Sequence, residues 1–298
     1  MRLIEPLLLL TGETASGKSE LAVTLAERLD AEIIGADSRQ IYREMPIGTA
    51  APTPEQCLRV PHHLVSWLDP YTSYSAAMYV EDALQAIHAI HARGKRVIVV
   101  GGTGFYIRAL CGDIDLGPEV DGQARARVQR EVALHDGEFL HEWLSLRNPQ
   151  RASEIASTDR YRITRALETM LAGSQTQAKR IHPSLRLYQI PYRKIWIQTE
   201  REELARRIEC RVDHMLSNGF VEEAERIGVH APAASAVGYP QAFAYLAGQM
   251  TLAELRAMMV RATKRYAKRQ ATWLRSEPDL TIIPPCADRV AAVMQLLS

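Results

Sequence analysis

Apolar and polar positions along the chain follow the alternating periods of an α/β protein. Leu7 to Leu10 are an uninterrupted apolar run, as expected of a strand buried on both faces. The stretch Glu20 to Leu29 then places Leu21, Ala22, Leu25 and Leu29 on one side of a helix. Ala31 to Ala36 (AEIIGA) predicts a second strand, ending at Asp37-Ser38, and His62 to Leu68 a third. Residues 39–60 contain Pro46, Pro52 and Pro54, which exclude long helices. Tyr79 to Ala92 has helical periodicity. Val97 to Val100 is another buried strand; it runs into Gly101-Gly102-Thr103-Gly104 and a helix from about Phe105.

From residue 113 to 190 the strand signals stop. Helical periods appear at Gln123–His135, Phe139–Leu146 and Arg160–Ala172. The sheet pattern returns at Lys194 to Ile197. A helix from Glu202 to Asn218 follows, with Leu204, Ile208, Val212 and Met215 facing inward and Gly219 as its stop. A loop spans 228–240. Leu252 to Arg275 predicts one long helix bearing Arg256, Arg261, Lys264, Arg265, Lys268, Arg269 and Arg275, interleaved with Tyr266 and Trp273. The expected fold is therefore α/β: a parallel-sheet core over residues 1–113 and 191–298, with a helical insertion, or lid, over 114–190.

Composition narrows this picture only slightly. With 298 residues and a net charge of +1, there is no global polycation, so any nucleic-acid surface must come from local clusters such as the long basic helix. A second cluster is Arg160, Arg162 and Arg165, with no acid between them, which points to an anion-binding edge; Arg125, Arg127 and Arg130 are mixed with acids. Cys57, Cys111, Cys210 and Cys286 are widely spaced, consistent with free thiols in a reducing compartment. Glu5 and Pro6 interrupt the N-terminal apolar run and no stretch is long enough for a bilayer, so a cytoplasmic protein without membrane contact is expected. His62, His63, His88 and His91 suggest structural or solvated positions rather than a metal site.

The chemistry begins at Gly12-Glu13-Thr14-Ala15-Ser16-Gly17-Lys18-Ser19. This is G-x-x-x-x-G-K-[ST], placed between a strand and a helix as a phosphate-binding loop must be. Its glycines let backbone N–H groups converge on an anion, the helix adds its positive end, Lys18 adds a charge, and Ser19 offers a hydroxyl to magnesium. Asp37 stands at the carboxyl end of the second strand and so beside this loop; a helix cap or a carboxylate behind magnesium's waters is the other reading. Thr103, in the second glycine turn, aims a hydroxyl at the same cleft, and that turn suits close approach of a ligand. Arg207 and Arg211, one helical turn apart, are within reach of a phosphate, with Arg207 expected at the surface. No other apolar strand ends in an acid, which weakens an ordinary ATPase. A small-molecule kinase using ATP and an RNA-binding switch remain as alternatives.

Read together, several motifs resemble the tRNA dimethylallyltransferase (tRNA isopentenyltransferase) family. They are the loop from Gly12 to Ser19, Asp37-Ser38-x-Gln40-x-Tyr42, Met45-x-Ile47-Gly48-Thr49-Ala50, Pro61-His62-His63-Leu64, Tyr74-Ser75-Ala76 and Val100 to Gly104. Arg162 to Glu168, Arg211-x-x-x-Met215-Leu216-x-x-Gly219-Phe220, Gly238-Tyr239 and Lys268-Arg269-Gln270-x-Thr272-Trp273-Leu274-Arg275 continue the likeness, in order, over nearly the whole chain. The resemblance implies a P-loop kinase-like core and transfer of a dimethylallyl group from dimethylallyl diphosphate to N6 of the adenosine 3′-adjacent to the anticodon, in tRNAs reading codons that begin with U, with magnesium as cofactor. The partner is then the tRNA anticodon stem-loop, and a monomer is expected. The loop from Gly12 to Ser19 would hold diphosphate, Asp37 would be the general base, and Thr103, Lys18, Arg162 and Arg211 would complete the catalytic set. The resemblance implies tRNA contacts at Asp37, Ser38, Arg39, Gln40, Thr103, Arg125, Tyr161, Arg162, Ile163, Thr164, Arg165, Ser235, Gly238, Tyr239, Lys268, Arg269, Gln270, Trp273 and Arg275. Two positions depart from the family pattern: Glu13 stands where proline is usual, and Pro240 where arginine is usual.

Overall fold

The run Leu7 to Leu10 is buried because it is the centre of a sheet. In the computed structural model, which describes residues 5–117, 120, 122–171 and 182–297, it forms β1 (Leu7–Thr11), with every residue of the strand buried. The phosphate loop leads into α1 (Lys18–Leu29) and then β2 (Ala31–Gly35). The proline-rich stretch holds two short helices, α2 (Pro46–Thr49) and α3 (Pro54–Arg59), each opening on a proline, where the missing N–H costs nothing. The third strand, expected over His62 to Leu68, is only β3 (His62–His63); Leu68 instead makes an isolated bridge with Tyr42. Then come α4 (Ala76–Ala92), β4 (Arg96–Gly101) and α5 (Gly104–Cys111).

The chain divides into two compact units, 1–114 with 183–298, and 115–182. The second unit contains α6 (Gly122–Leu134), α7 (Gly137–Arg147), α8 (Pro149–Ser153) and α9 (Arg160–Leu171) around Val128, Leu140, Leu144, Ile163 and Leu167. The expected end of the last helix, Ala172, lies outside the described residues. Residues 183–190 belong to the first unit and not, as expected, to the insertion. The reason is backbone pairing: Leu185 N–H donates to the Leu110 carbonyl at 2.8 Å.

The first unit continues with β5 (Tyr192–Ile197), α10 (Arg201–Ser217), α11 (Phe220–Ile227), α12 (Tyr239–Leu246), α13 (Leu252–Arg275), β6 (Leu280–Ile283) and α14 (Arg289–Leu297). The six strands are all parallel in the order β3-β2-β4-β1-β5-β6. β1 therefore sits between β4 and β5, and the loops leaving β1, β2, β4 and β5 converge at one end of the sheet. Ligands bind at that carboxyl end in open parallel sheets. Apolar residues of β1, β2, β4 and β5 pack with α1 and α14 into one core. A second core joins α10 to α13 with Ile41, Tyr42 and Met45.

Two buried carboxylates hold this frame. Glu32 on β2 accepts from Arg93 (2.6 Å) and bonds His63 (2.7 Å), which gives that histidine the structural place expected of it. Lys194 on β5 lies 2.5 Å from both Asp113 and Glu277, and Glu277 also pairs with Arg108 at 2.6 Å. Burial opposes the Lys194 charge, but the two carboxylates outweigh it and push its pKa up. Removing one member of such a cluster strands the others in a dry site. Lys194→Ala is therefore expected to lower stability by about 3–5 kcal/mol in urea denaturation; a loss below about 1 kcal/mol would contradict this account.

Candidate active site

The phosphate loop is tied to three neighbouring elements. Its Thr14 N–H donates to Gln270 Oε1 on α13 at 2.8 Å, and Gln270 Nε2 donates to the Gly102 carbonyl at 3.0 Å. One buried amide thus joins the turns that follow β1 and β4. The glycines of the second turn exist for this approach: a Cβ at Gly102 would lie 2.2 Å from Gln270 Nε2, and one at Gly104 would lie 2.2 Å from the Trp273 ring. Gly102 and Gly104 thus lie against α13, while a Cβ at Gly101 would lie 2.1 Å from the Ala36 carbonyl oxygen. Gly17 has φ 87° and caps α1. The N–H groups of Gly17, Lys18 and Ser19 have no hydrogen-bond partner among the described residues, so they are available to an anion.

Glu13 is turned onto a neighbouring strand, though its charge still acts on Lys18. Its side chain is buried and accepts from Trp196 Nε1 at 3.0 Å, while its carbonyl accepts from Ser16 N–H (3.1 Å) and Lys18 Nζ (3.3 Å). Arg211 on α10 donates from Nη1 to Thr14 Oγ1 at 3.0 Å. Loss of water pushes Lys18 down to about 8, with Asp37 acting in the opposite direction and Arg211 adding to the drop. Burial likewise holds Arg211 below the usual arginine range, partly offset by Asp37. Two poorly hydrated cations beside free amide N–H groups are preorganised to receive a dense negative charge.

Asp37 follows β2 by two residues, as the strand pattern predicted. Its Oδ1 accepts from the N–H groups of Arg39 (2.9 Å) and Gln40 (3.3 Å), while Oδ2 has no hydrogen-bond donor among the described residues. The carboxylate lies within electrostatic reach of Lys18, Arg211 and Tyr266. Thr103 Oγ1 accepts from Ser38 N–H at 3.0 Å and donates to Ser38 Oγ at 3.4 Å, near the Tyr266 phenol. Burial, reinforced by Asp37, raises the Tyr266 phenol. Asp37, Thr103, Lys18 and Arg211 thus belong to one cluster of the first unit. Arg162 stands on the second unit, exposed, 3.3 Å from Asp159.

Several residues expected to contact RNA have other work. Gln270 is buried with both ends of its amide paired, and Trp273 packs on Gly104. The Tyr239 hydroxyl is buried and donates to Glu223 Oε1 at 2.7 Å; Glu223 also takes the N–H groups of Ile47 (2.9 Å) and Gly48 (2.7 Å). Gln40 Nε2 donates to the carbonyls of Thr49 and Ala50, Ser235 Oγ bonds the Pro232 carbonyl, and the Gly238 N–H is taken by Gln241. Ile163 is in the core of the second unit, and Thr164 Oγ1 donates to the Arg160 carbonyl. In that unit Arg160 caps α6, donating to the carbonyls of Val132 and His135, while Arg165 pairs with Glu168. The second arginine cluster is therefore balanced by acids that flank it and by a helix end. Tyr161 and Arg125 are exposed.

The long basic helix is partly neutralised as well. Arg256 binds Asp213 and Lys264 binds Glu209, both across to α10. Arg261, Arg265, Lys268, Arg269 and Arg275 remain exposed, with Arg269 over the Tyr266 ring. Sequence reasoning missed Tyr266 as a neighbour of Asp37, while Arg207 is partly exposed, as expected, and pairs with Glu203 at 2.6 Å. In the structure Arg207 Nη1 donates to the Ser16 carbonyl at 3.2 Å, beside Arg289 at 2.7 Å. Among the described residues no group of three or more His, Cys, Asp or Glu could hold a metal, and no helix is long and apolar enough to cross a membrane.

A phosphate loop on a parallel sheet, with a carboxylate and a hydroxyl in the cluster of its cations, defines a P-loop enzyme. Comparison with known proteins narrows the class. The family model "IPP transferase" matches residues 40–277. The tRNA dimethylallyltransferase of Geobacter sulfurreducens is 43% identical over 279 residues, covering 91% of this chain and 89% of that protein. Among solved structures, the full-length tRNA isopentenylpyrophosphate transferase of Bacillus halodurans aligns with a TM-score of 0.71 at 34% identity, covering 98% of this chain and 94% of that one. A eukaryotic dimethylallyltransferase acting on tRNA shares the fold, with a TM-score of 0.76 at 22% identity, over 99% of this chain and 84% of that one. The chain belongs to the IPP transferase family.

The Lys18 environment has a measurable consequence. A bound anion favours the protonated amine, so affinity is level below about pH 8 and falls as Lys18 deprotonates above it. Titration calorimetry with inorganic pyrophosphate should give a loss approaching about tenfold per pH unit above that point, and proton uptake on binding near it. Lys18→Met should abolish both effects; a flat profile in the unaltered protein up to pH 9.5, roughly its full titration range, would contradict the assignment.

Proposed function

We propose that this protein is a tRNA dimethylallyltransferase that alkylates N6 of the adenosine 3′-adjacent to the anticodon, in tRNAs reading codons that begin with U, using dimethylallyl diphosphate and releasing diphosphate. The observation that carries the reading is the pairing of an unpartnered Asp37 oxygen with a cationic phosphate cradle inside one cluster.

The chemistry requires this pairing. An exocyclic adenine amine is a weak nucleophile, since its lone pair is delocalised into the ring. As the C–N bond forms, N6 loses a proton, and Asp37 Oδ2 is the acceptor placed to take it. Its other oxygen is pinned by two backbone N–H groups, which fixes the direction of the free one. On the opposite side the allylic C–O bond breaks and its electron pair leaves with diphosphate. Lys18, Arg211 and the amides of Gly17, Lys18 and Ser19 receive that charge; each well-aimed donor contributes about 2.7–4 kcal/mol in such a site. The adenine must leave its stack to enter the cleft, and Thr103, held by Ser38, is placed to orient it.

Magnesium fits this site through Ser19. The hydroxyl of Ser19 has no partner among the described residues, and the lack of a carboxylate cluster there suits an ion that keeps waters and binds substrate phosphates. Bound there, it would neutralise diphosphate charge. The exposed cations of α13 are the elements suited to the RNA backbone, and the free thiols fit a reducing, cytoplasmic setting.

Asp37→Ala should keep pyrophosphate and tRNA affinity while prenyl transfer to unmodified tRNA falls by about 10²–10⁴; transfer at the unaltered rate would remove Asp37 as the base. Replacing Lys268 and Arg269 together by alanine should flatten the slope of log affinity for tRNA against log salt by about 1.4–1.8; an unchanged slope would take these side chains off the phosphates.

A further inference from the structure

Arg289 is the first residue of α14, where a positive charge opposes the helix dipole. A residue that breaks a local rule calls for a compensating gain elsewhere. The gain lies on the phosphate loop. Arg289 Nη1 donates to the Ser16 carbonyl at 2.7 Å, while Nη2 donates to the Gln198 carbonyl at 2.7 Å and to Thr199 Oγ1 at 3.2 Å. The guanidinium therefore bridges the loop after β1 to the end of β5. No carboxylate among the described residues pairs with it, and Arg207 reaches the same Ser16 carbonyl from α10. The Arg207 and Arg289 tips lie 3.3 and 3.7 Å from where a Gly17 Cβ would be.

A trans peptide points its N–H opposite to its C=O. The Ser16 carbonyl is held by Arg289, Arg207 and, at 3.4 Å, Thr199 Oγ1, which turns the Gly17 N–H of the same peptide the other way, toward the anion position. We propose that Arg289, supported by Arg207, is a positioning residue of the diphosphate cradle: it fixes the Ser16–Gly17 peptide so that the loop amides face the leaving group. The inference rests on the reading of this loop as a diphosphate site. It concerns a residue beyond the 40–277 stretch that the family model matches.

The test is calorimetric binding of inorganic pyrophosphate to the full chain, with tRNA affinity and prenyl transfer measured alongside. Arg289→Ala should weaken pyrophosphate binding about 10- to 100-fold, the effect of losing a charged hydrogen bond. Its tRNA affinity should stay within about twofold, because no RNA-facing group is touched. Added guanidinium ion should restore part of the pyrophosphate affinity, which a general loss of structure would not permit. Arg289→Lys keeps the charge but cannot span Ser16 and Gln198, so it too should bind more weakly, by at least about threefold. It serves as the measurement if the alanine variant does not fold. Pyrophosphate affinity equal to that of the unaltered protein in a folded variant, with transfer intact, overturns the role of Arg289 alone. An unaltered protein that binds no pyrophosphate overturns both this role and the function proposed above.

Discussion

The site depends on one buried amide. Gln270 accepts from the phosphate loop with one end of its side chain and donates to the second glycine turn with the other. A glutamine presents a donor and an acceptor a fixed distance apart, so it sets the spacing of two turns in a way that a charged or apolar residue cannot. The turns lie on β1 and β4, neighbours in the sheet, and Gln270 lies on the helix that also carries the exposed cations. The phosphate loop is therefore hydrogen-bonded directly to the helix that bears the basic surface. The glycines at 102 and 104 follow from this contact, because any side chain there would collide with Gln270 or Trp273.

Around this staple the cluster holds charge in a deliberately poorly solvated state. Lys18 and Arg211 are both depressed by burial, and each rests on a neutral acceptor of the loop, the Glu13 carbonyl and the Thr14 hydroxyl. Those hydrogen bonds are weak enough to be exchanged for phosphate oxygens. Glu13, the residue that departs from the family pattern, is turned onto the Trp196 indole. Pro240, the other departure, opens α12 in its first turn, where a missing N–H is harmless. Opposite the cations, Asp37 keeps one oxygen open because its loop supplies two N–H groups to the other.

Much of this was legible in the sequence, and the reasons are local. β1, β4 and the loop between β1 and α1 are continuous patterns of a few residues, so Lys18, Ser19, Asp37 and Thr103 could be placed by their position after a strand. What the sequence hid is what depends on distant partners. The basic run of α13 reads as uncompensated because its acids, Asp213 and Glu209, sit on another helix. The arginines of α9 read as an open edge because Arg160 turns back to cap α6. Gln270 and Tyr239 carry no pattern that marks them as buried ties, and β6, with two of its four residues exposed, has no strong strand signal. Arg289 offered one cue that went unread: an arginine immediately after Asp288, at the start of a short apolar helix.

The central claim is that diphosphate and proton acceptor face each other across one cleft. The most direct measurement is a crystal structure with an unreactive dimethylallyl diphosphate analogue bound. The account predicts phosphate oxygens on Lys18, Arg211 and the amides of Gly17 to Ser19, with the allylic carbon turned toward the open oxygen of Asp37 and a nucleobase-sized gap between them. Diphosphate on the loop with its allylic group directed away from Asp37, or diphosphate bound elsewhere, would contradict it.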